Sequence, residues 1–113
     1  KAQVHDFWND ASCGEALLMK GGPLKQQYQD QMRARYEWEP EILSFVQFEK
    51  YRGKKVLEIG VGLGADHQKW AEAGAELSGM DLTERAIEKT GERLRAMMPW
   101  MKKRQIKGVQ AAY

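Results

Sequence analysis

The sequence predicts an α/β fold in which N-terminal helices precede a short parallel sheet of about two or three strands. The first observation is an apolar run, Val56–Ile59, that leads directly into a glycine-rich turn. The second is the stretch after the turn, which has the pattern of a helix, Ala65–Ala73, and then of a strand, Glu76–Met80, ending at Asp81. A strand, a glycine turn, a helix and a strand in this order form a βαβ unit, whose two strands are parallel.

The first part of the chain, residues 1–52, is predicted to form a helical cap. The triplet Gly21-Gly22-Pro23 interrupts its helical patterns and is a candidate hinge. An apolar or aromatic residue then occurs at every fourth position, as on one face of an amphipathic helix. These residues are Leu24, Tyr28, Met32 and Tyr36. Pro40 fits the first turn of another helix, whose buried face is expected to consist of Ile42, Phe45 and Val46.

The second part, residues 53–113, has a βαβα pattern with a third strand expected over Ile106–Ala112. Gly74 ends the first of its helices. Thr83 is a candidate N-cap for a second helix that runs to about Met98, because a threonine side chain can accept a hydrogen bond from a free backbone N–H of the first turn. Its buried face is expected to consist of Ala86, Ile87, Leu94 and Met98.

Composition limits the classes of protein to consider. The 113 residues are enough for one small domain, and 18 basic against 16 acidic residues imply no strong attraction to polyanions. A single cysteine excludes an internal disulfide framework and fits a reducing compartment. No apolar run approaches the roughly 18 residues of a membrane span, and no cleavable signal is evident. We therefore expect a cytoplasmic protein without membrane partners.

The glycine-rich turn predicts a ligand site at the carboxyl ends of the strands. Gly60, Gly62 and Gly64 let the backbone turn sharply and let a ligand approach it closely. Free N–H groups of the following helix point toward the same place. Asp81, after the second strand, can accept hydrogen bonds from ribose hydroxyls. These features indicate a ligand that contains adenosine.

Two residues distinguish between ligands of this kind. Gly60, Gly62 and Ala65 satisfy a dinucleotide fingerprint, which would make the chain an NAD(P)-binding module of an oxidoreductase. Gly64, however, changes the spacing to G-x-G-x-G, and Glu58 places a carboxylate where a pyrophosphate would disfavour it. A carboxylate there suits a positively charged ligand, such as an ammonium or a sulfonium.

The residues VLEIGVGLGADHQKWAEAGAELSGMDLT resemble class I S-adenosylmethionine-dependent methyltransferases, and in particular the type 11-like group. The upstream segment FWNDASCGE, beginning at Phe7, extends this resemblance. The resemblance implies a Rossmann-like three-layer fold, S-adenosylmethionine as cofactor and S-adenosylhomocysteine as product. It also implies roles by position. The methionine part would lie at Glu58, Gly60, Gly62 and Gly64, the ribose at Asp81 and the adenine at Leu82.

The chain departs from that family after the expected third strand. The resemblance covers roughly residues 4–98, so the chain corresponds to a partial domain without the half of the fold that supplies much of the methyl-acceptor site. The expected function is therefore that of a methyltransferase, or of its cofactor-binding half, with an unknown small-molecule acceptor. A catalytically silent, truncated oligomer is the alternative. With strand order 3-2-1, the first strand is an open edge, which predicts a homo-oligomer.

No catalytic residue or metal ligand is predicted. Cys13 has no histidine placed beside it by the sequence, and a structural thiol is the simpler interpretation. His67 could act as a base for an acceptor, but its place in a helix favours a structural role. Arg35 and Tyr36 could reach a ligand carboxylate or belong to the core. A basic group near the C-terminus is more typical of a solvated turn than of a nucleic-acid surface; it consists of Lys102, Lys103, Arg104 and Lys107.

Overall fold

The computed structural model describes residues 2–10, 14–15, 21–101 and 106–110, which form an α/β fold. The helices in chain order are α1 (Ala2–Asp10), α2 (Leu24–Trp38), α3 (Glu41–Val46), α4 (Ala65–Glu72) and α5 (Glu84–Met97), with a 3-10 helix, η1 (Phe48–Tyr51), after α3. The strands are β1 (Lys55–Ile59), β2 (Glu76–Asp81) and β3 (Ile106–Gln110). None of the described helices is both long enough and apolar enough to cross a membrane.

The three strands form a parallel sheet in the order β1-β2-β3. This is the 3-2-1 order on which the expectation of an open first strand depended, and β1 lies at the edge of the described sheet. Val56 pairs with Leu77, and the backbone N–H of Gly60 donates to Met80 O at 2.8 Å just beyond β1. Because the carboxyl ends of parallel strands lie at one edge, this register places the glycine loop beside Asp81.

The helices that contact the sheet cover one of its faces. α4 contacts β2, α5 contacts β2 and β3, and α2 packs in turn on α4 and α5. The helix-facing side includes Leu77, which is buried. On the opposite side of β1, Leu57 and Ile59 are 58% and 74% exposed. A third layer over these residues is thus not present in the described part of the chain.

The N-terminal helices differ from expectation at Phe45. This residue was predicted to be buried, but it is 87% exposed. The reason is that α3 ends after six residues, at Val46, and the next residue, Gln47, has a left-handed backbone with φ of 54°. The chain then turns so that Phe48 is buried instead, with its ring 4.7 Å from that of Trp70 in an edge-to-face contact.

The predictions for the second part of the chain are largely confirmed. Thr83 is the N-cap of α5, and its hydroxyl accepts the Ala86 N–H at 3.2 Å. Leu94 and Met98 are buried as expected. β3 begins at Ile106 as predicted. The hypotheses for Cys13 and for the basic residues 102–104, and the end of β3 beyond residue 110, lie outside the described residues.

Candidate functional site

The glycine loop between β1 and α4 has a backbone that only glycine adopts easily. Gly60, Gly62 and Gly64 have φ angles of 78°, 56° and 83°. A Cβ atom on Gly60 or Gly62 would meet nothing within 4 Å, so the loop backbone is open to a ligand. Gly64 differs, because a Cβ there would lie 2.8 Å from Thr90 Oγ1. The lack of a side chain at Gly64 therefore allows the loop to pack against α5, whereas at Gly60 and Gly62 it leaves the backbone exposed.

A cavity of about 180 Å³ lies along this loop, where the carboxyl end of β1 meets α2 and α4. Residues 60–65, which include the three loop glycines, contribute to its lining. The polar side chains that line it are Gln31, Arg35, Glu58 and Asp66. The predicted residues Glu58, Gly60, Gly62 and Gly64 therefore share one cavity. Asp81 and Leu82 do not line it.

Glu58 is held at the cavity by a buried histidine. Its carboxylate lies 3.2 Å from Nδ1 of His67, and the two side chains are 15% and 1% exposed. His67 lies in α4, whose first turn follows the glycine loop directly. The structural interpretation of His67 is the one that this contact supports, because a side chain buried beneath the loop is not accessible to an acceptor.

Arg35 is placed at the cavity by a carboxylate on the neighbouring helix. Its Nε and Nη2 donate to the two oxygens of Asp66 at 2.9 and 2.7 Å, and the Tyr36 hydroxyl donates to Asp66 at 2.7 Å. Burial alone raises the pKa of the Asp66 carboxyl, but the hydrogen bonds from Arg35 and Tyr36 outweigh burial and lower this pKa below its ordinary value. The same bond to Asp66 raises the pKa of Arg35. Both charges are therefore present at neutral pH.

Asp81 connects the end of β2 to the glycine loop. One carboxylate oxygen accepts the Gly62 N–H at 3.1 Å, and the other accepts the N–H and hydroxyl of Thr83 at 3.0 and 3.2 Å. These bonds place Asp81 next to the loop, although outside the cavity. Leu82 follows it and is partly exposed. The predicted site residues thus form two adjacent groups, one in the cavity and one beside it.

Sequence reasoning missed two polar residues of the cavity, Gln31 and Asp66. Gln31 lies three positions after Tyr28 and therefore on the same face of α2. Asp66 lies in the first turn of α4, where the helix dipole favours a carboxylate. The positions of Gln31 and Asp66 in their helices were therefore visible in the sequence. A polar residue on a helix is most often solvated, however, so these positions do not by themselves indicate a cavity.

Together, the fold and the cavity define a small α/β protein with one cavity at the strand ends. A glycine loop and three charged side chains line this cavity: Glu58, and the ion pair of Arg35 and Asp66. Comparison of the chain with protein-family models, curated proteins and solved structures yields no match. The function is therefore inferred from the residues of the site.

Proposed function

We propose that this chain binds S-adenosylmethionine and is a methyltransferase, or the cofactor-binding half of one, that acts on a small-molecule acceptor. The observation that carries the proposal is the presence of the Glu58 carboxylate and the Arg35 guanidinium in one cavity with an open glycine backbone. An α-amino acid has an ammonium, which Glu58 can bind as an acceptor, and a carboxylate, to which the remaining N–H groups of Arg35 can donate. S-adenosylmethionine ends in such a group.

Arg35 and Asp81 each have hydrogen-bonding positions left for a ligand. Arg35 uses three N–H groups, two toward Asp66 and one toward Glu39 at 2.9 Å, out of the five that a guanidinium has. Asp81 accepts three hydrogen bonds, and a carboxylate has about four acceptor positions. A ribose hydroxyl can therefore bind Asp81 without displacing Thr83 or Gly62.

The size of the cavity supports a ligand that is only partly enclosed. Its volume of about 180 Å³ is smaller than the roughly 300–1,000 Å³ typical of sites that enclose a whole ligand. It suits the amino-acid end of the cofactor, while the nucleoside would extend along the strand ends toward Asp81 and Leu82. A Rossmann-like arrangement of the parallel strands is part of the same proposal.

Methyl transfer requires alignment more than it requires reactive side chains. The cofactor would supply a methyl group on a positively charged sulfonium sulfur, and the neutral thioether of S-adenosylhomocysteine would be the leaving group. Glu58 and Arg35 would orient its amino-acid end, and the glycine loop would bring the backbone close to it. Proximity and orientation of this kind account for much of the rate of a displacement. We assign no catalytic base to the described residues.

Two alternatives are kept. An NAD(P)-binding module is disfavoured because Glu58 lines the cavity where a pyrophosphate would lie. A catalytically silent protein is the stronger alternative, since the cavity requires none of the acceptor half of a methyltransferase. Such a protein would bind the cofactor and show no turnover on a panel of nitrogen, oxygen and carbon acceptors.

We also propose that the protein forms a homo-oligomer through the edge of β1 that is unpaired in the described sheet. If two copies of β1 pair antiparallel about Leu57, Lys55 lies opposite Ile59 and Val56 opposite Glu58, so no like charges face each other. The pairing would cover the exposed edge, and such an interface is self-complementary.

Calorimetric titration of the wild type, Glu58→Gln and Asp81→Ala with S-adenosylhomocysteine and with NAD tests the cofactor proposal. We expect micromolar binding of the thioether alone. A lost charge-assisted hydrogen bond of about 1.5–3 kcal/mol makes binding roughly 10- to 150-fold weaker in Glu58→Gln. Glu76→Gln is the matched control, because Glu76 is exposed at the opposite end of β2. Absence of thioether binding to the wild type would overturn the proposal.

A further inference from the structure

Arg93 is a fully buried cation behind the glycine loop. It is 0% exposed, and its guanidinium donates to Leu63 O in the loop at 2.9 Å and to Tyr28 O at 2.6 Å. Its other hydrogen bonds go to the side-chain oxygens of Gln68 and Gln31. All four acceptors are neutral, and no ion pair of Arg93 is found among the described residues. Its charge is therefore not compensated by direct contact.

Arg93 determines which end of the Gln31 amide is available to a ligand. A guanidinium only donates hydrogen bonds, so the Gln31 atom 2.5 Å from Nη1 is the amide oxygen. The amide nitrogen Nε2, with its two N–H groups, is the remaining polar end. Gln31 is only 5% exposed and lines the cavity. Within the described part of the chain Nε2 has no acceptor, and a buried N–H group without an acceptor is unfavourable.

The two arginines near the cavity differ in their charge balance. Arg35 pairs with Asp66 at 2.7 Å and with Glu39 at 2.9 Å, so it adds no net positive charge to the cavity, although two of its N–H groups remain for a ligand. Arg93 has no such counter-ion at contact distance, and burial is the main reason that its pKa is lowered to about 10, which still leaves it charged at neutral pH. The Arg93 charge therefore favours an anionic group on the Gln31 side of the cavity, although Asp66 and Glu72 act on the same guanidinium at longer range.

We propose that Gln31 is a specificity-determining residue whose Nε2 donates to a carboxylate oxygen of the ligand, and that Arg93 is the positioning residue that orients this amide. The inference rests on the proposed function, because the carboxylate is that of the amino-acid end of the cofactor. It adds that the site selects ligands with a free α-carboxylate. A nucleoside thioether without that group would not use Gln31.

Gln31→Glu is the most direct test. Glutamate keeps the shape of the side chain and can still accept from Arg93, but it replaces the N–H donors with an anionic oxygen. We expect S-adenosylhomocysteine to bind at least tenfold more weakly, and 5′-methylthioadenosine, which lacks the amino-acid end, to bind as it does to the wild type. The midpoint of thermal unfolding should be unchanged or higher. Gln29→Glu, an exposed substitution on the same helix with the same change in charge, is the matched control.

A second measurement uses the wild type and does not depend on how the variant folds. The side-chain amide signals of Gln31 in ¹⁵N-labelled protein are followed during titration with S-adenosylhomocysteine and, separately, with L-methionine. We expect both ligands to shift these signals. Undiminished thioether binding by Gln31→Glu would overturn the role of Gln31 and leave the cofactor proposal intact. A response of Gln31 to L-methionine without any binding of the thioether would overturn the cofactor proposal alone. No response to either ligand would overturn the inference.

Discussion

A Cβ atom on Gly79 would lie only 2.7 Å from Cε1 of His67. Gly79 lies on the helix-facing side of β2, and the imidazole occupies the space that a side chain there would take. The same ring contacts Glu58 through Nδ1 at 3.2 Å. A missing side chain in one strand thus allows a buried ring of α4 to support a carboxylate at the end of another strand.

We expect Gly79→Ala to destabilise the fold by about 1–3 kcal/mol, as overpacking of a filled interior commonly does. The displaced imidazole should also loosen Glu58, so the affinity for S-adenosylhomocysteine should fall in parallel. The measurements are urea unfolding and calorimetry. Gly21→Ala is the control, because nothing lies within 4 Å of its Cβ position. Equal unfolding midpoints for wild type and Gly79→Ala would contradict the contact.

Asp66→Asn should reduce stability by roughly 1.5–3 kcal/mol at pH 7, because Arg35 and Tyr36 lose their charged acceptor. The native state lowers the pKa of Asp66 below its ordinary value of 3.8. The unfolded chain therefore binds more protons just below pH 3.8, and the stabilisation contributed by Asp66 is present above that pH. It is lost as the pH falls through the lower, native pKa.

The measurement for Asp66 is the difference in unfolding free energy between wild type and Asp66→Asn from pH 7 down to pH 2. Asp30→Asn, in an exposed pair with Arg33, is the control and should change stability by less than about 0.5 kcal/mol. A difference that stays constant across the acid range would show that the lowered pKa of Asp66 is not the source of the stabilisation.

Arg93→Lys should destabilise the fold although it preserves the charge. The planar guanidinium donates to two backbone carbonyls and two side-chain amide oxygens, whereas the ammonium of lysine has only three donors on one nitrogen. Each buried acceptor that is left unpaired costs about 1–3 kcal/mol. The exposed Arg95→Lys on the same helix is the control for the chemical change. Equal thermal unfolding midpoints for Arg93→Lys and Arg95→Lys would mean that the planar guanidinium of Arg93 is not needed for stability.

Ile59→Lys should shift the protein from dimer toward monomer. Ile59 is 74% exposed on the face of the edge strand that no described helix covers, so a lysine there charges the proposed interface without disturbing a buried contact. The measurement is light scattering at micromolar protein concentration. Phe45→Lys removes a similarly exposed apolar side chain outside the sheet and should leave the mass unchanged. A monodisperse wild-type monomer would refute the proposed association.

Local sequence patterns were sufficient for the elements and for the backbone of the site. The loop glycines allow the sharp turn that was expected of them, with positive φ angles, and Thr83 caps α5. These features depend on interactions within a few residues of the chain. Phe45 shows where such reasoning fails, because its burial depended on where α3 ended and the chain turned.

The sequence by itself determined the parallel strands, the glycine loop and the position of Asp81 beside it, since each follows from steric preferences or from strand register. Only the tertiary structure decided which polar side chains surround the cavity. Gln31 and Arg93 are 62 residues apart, and Arg35 and Asp66 are 31 apart. Each polar residue, taken alone, is compatible with a solvated helix face. Burial makes hydrogen-bond partners obligatory, and burial is a property of the packed chain.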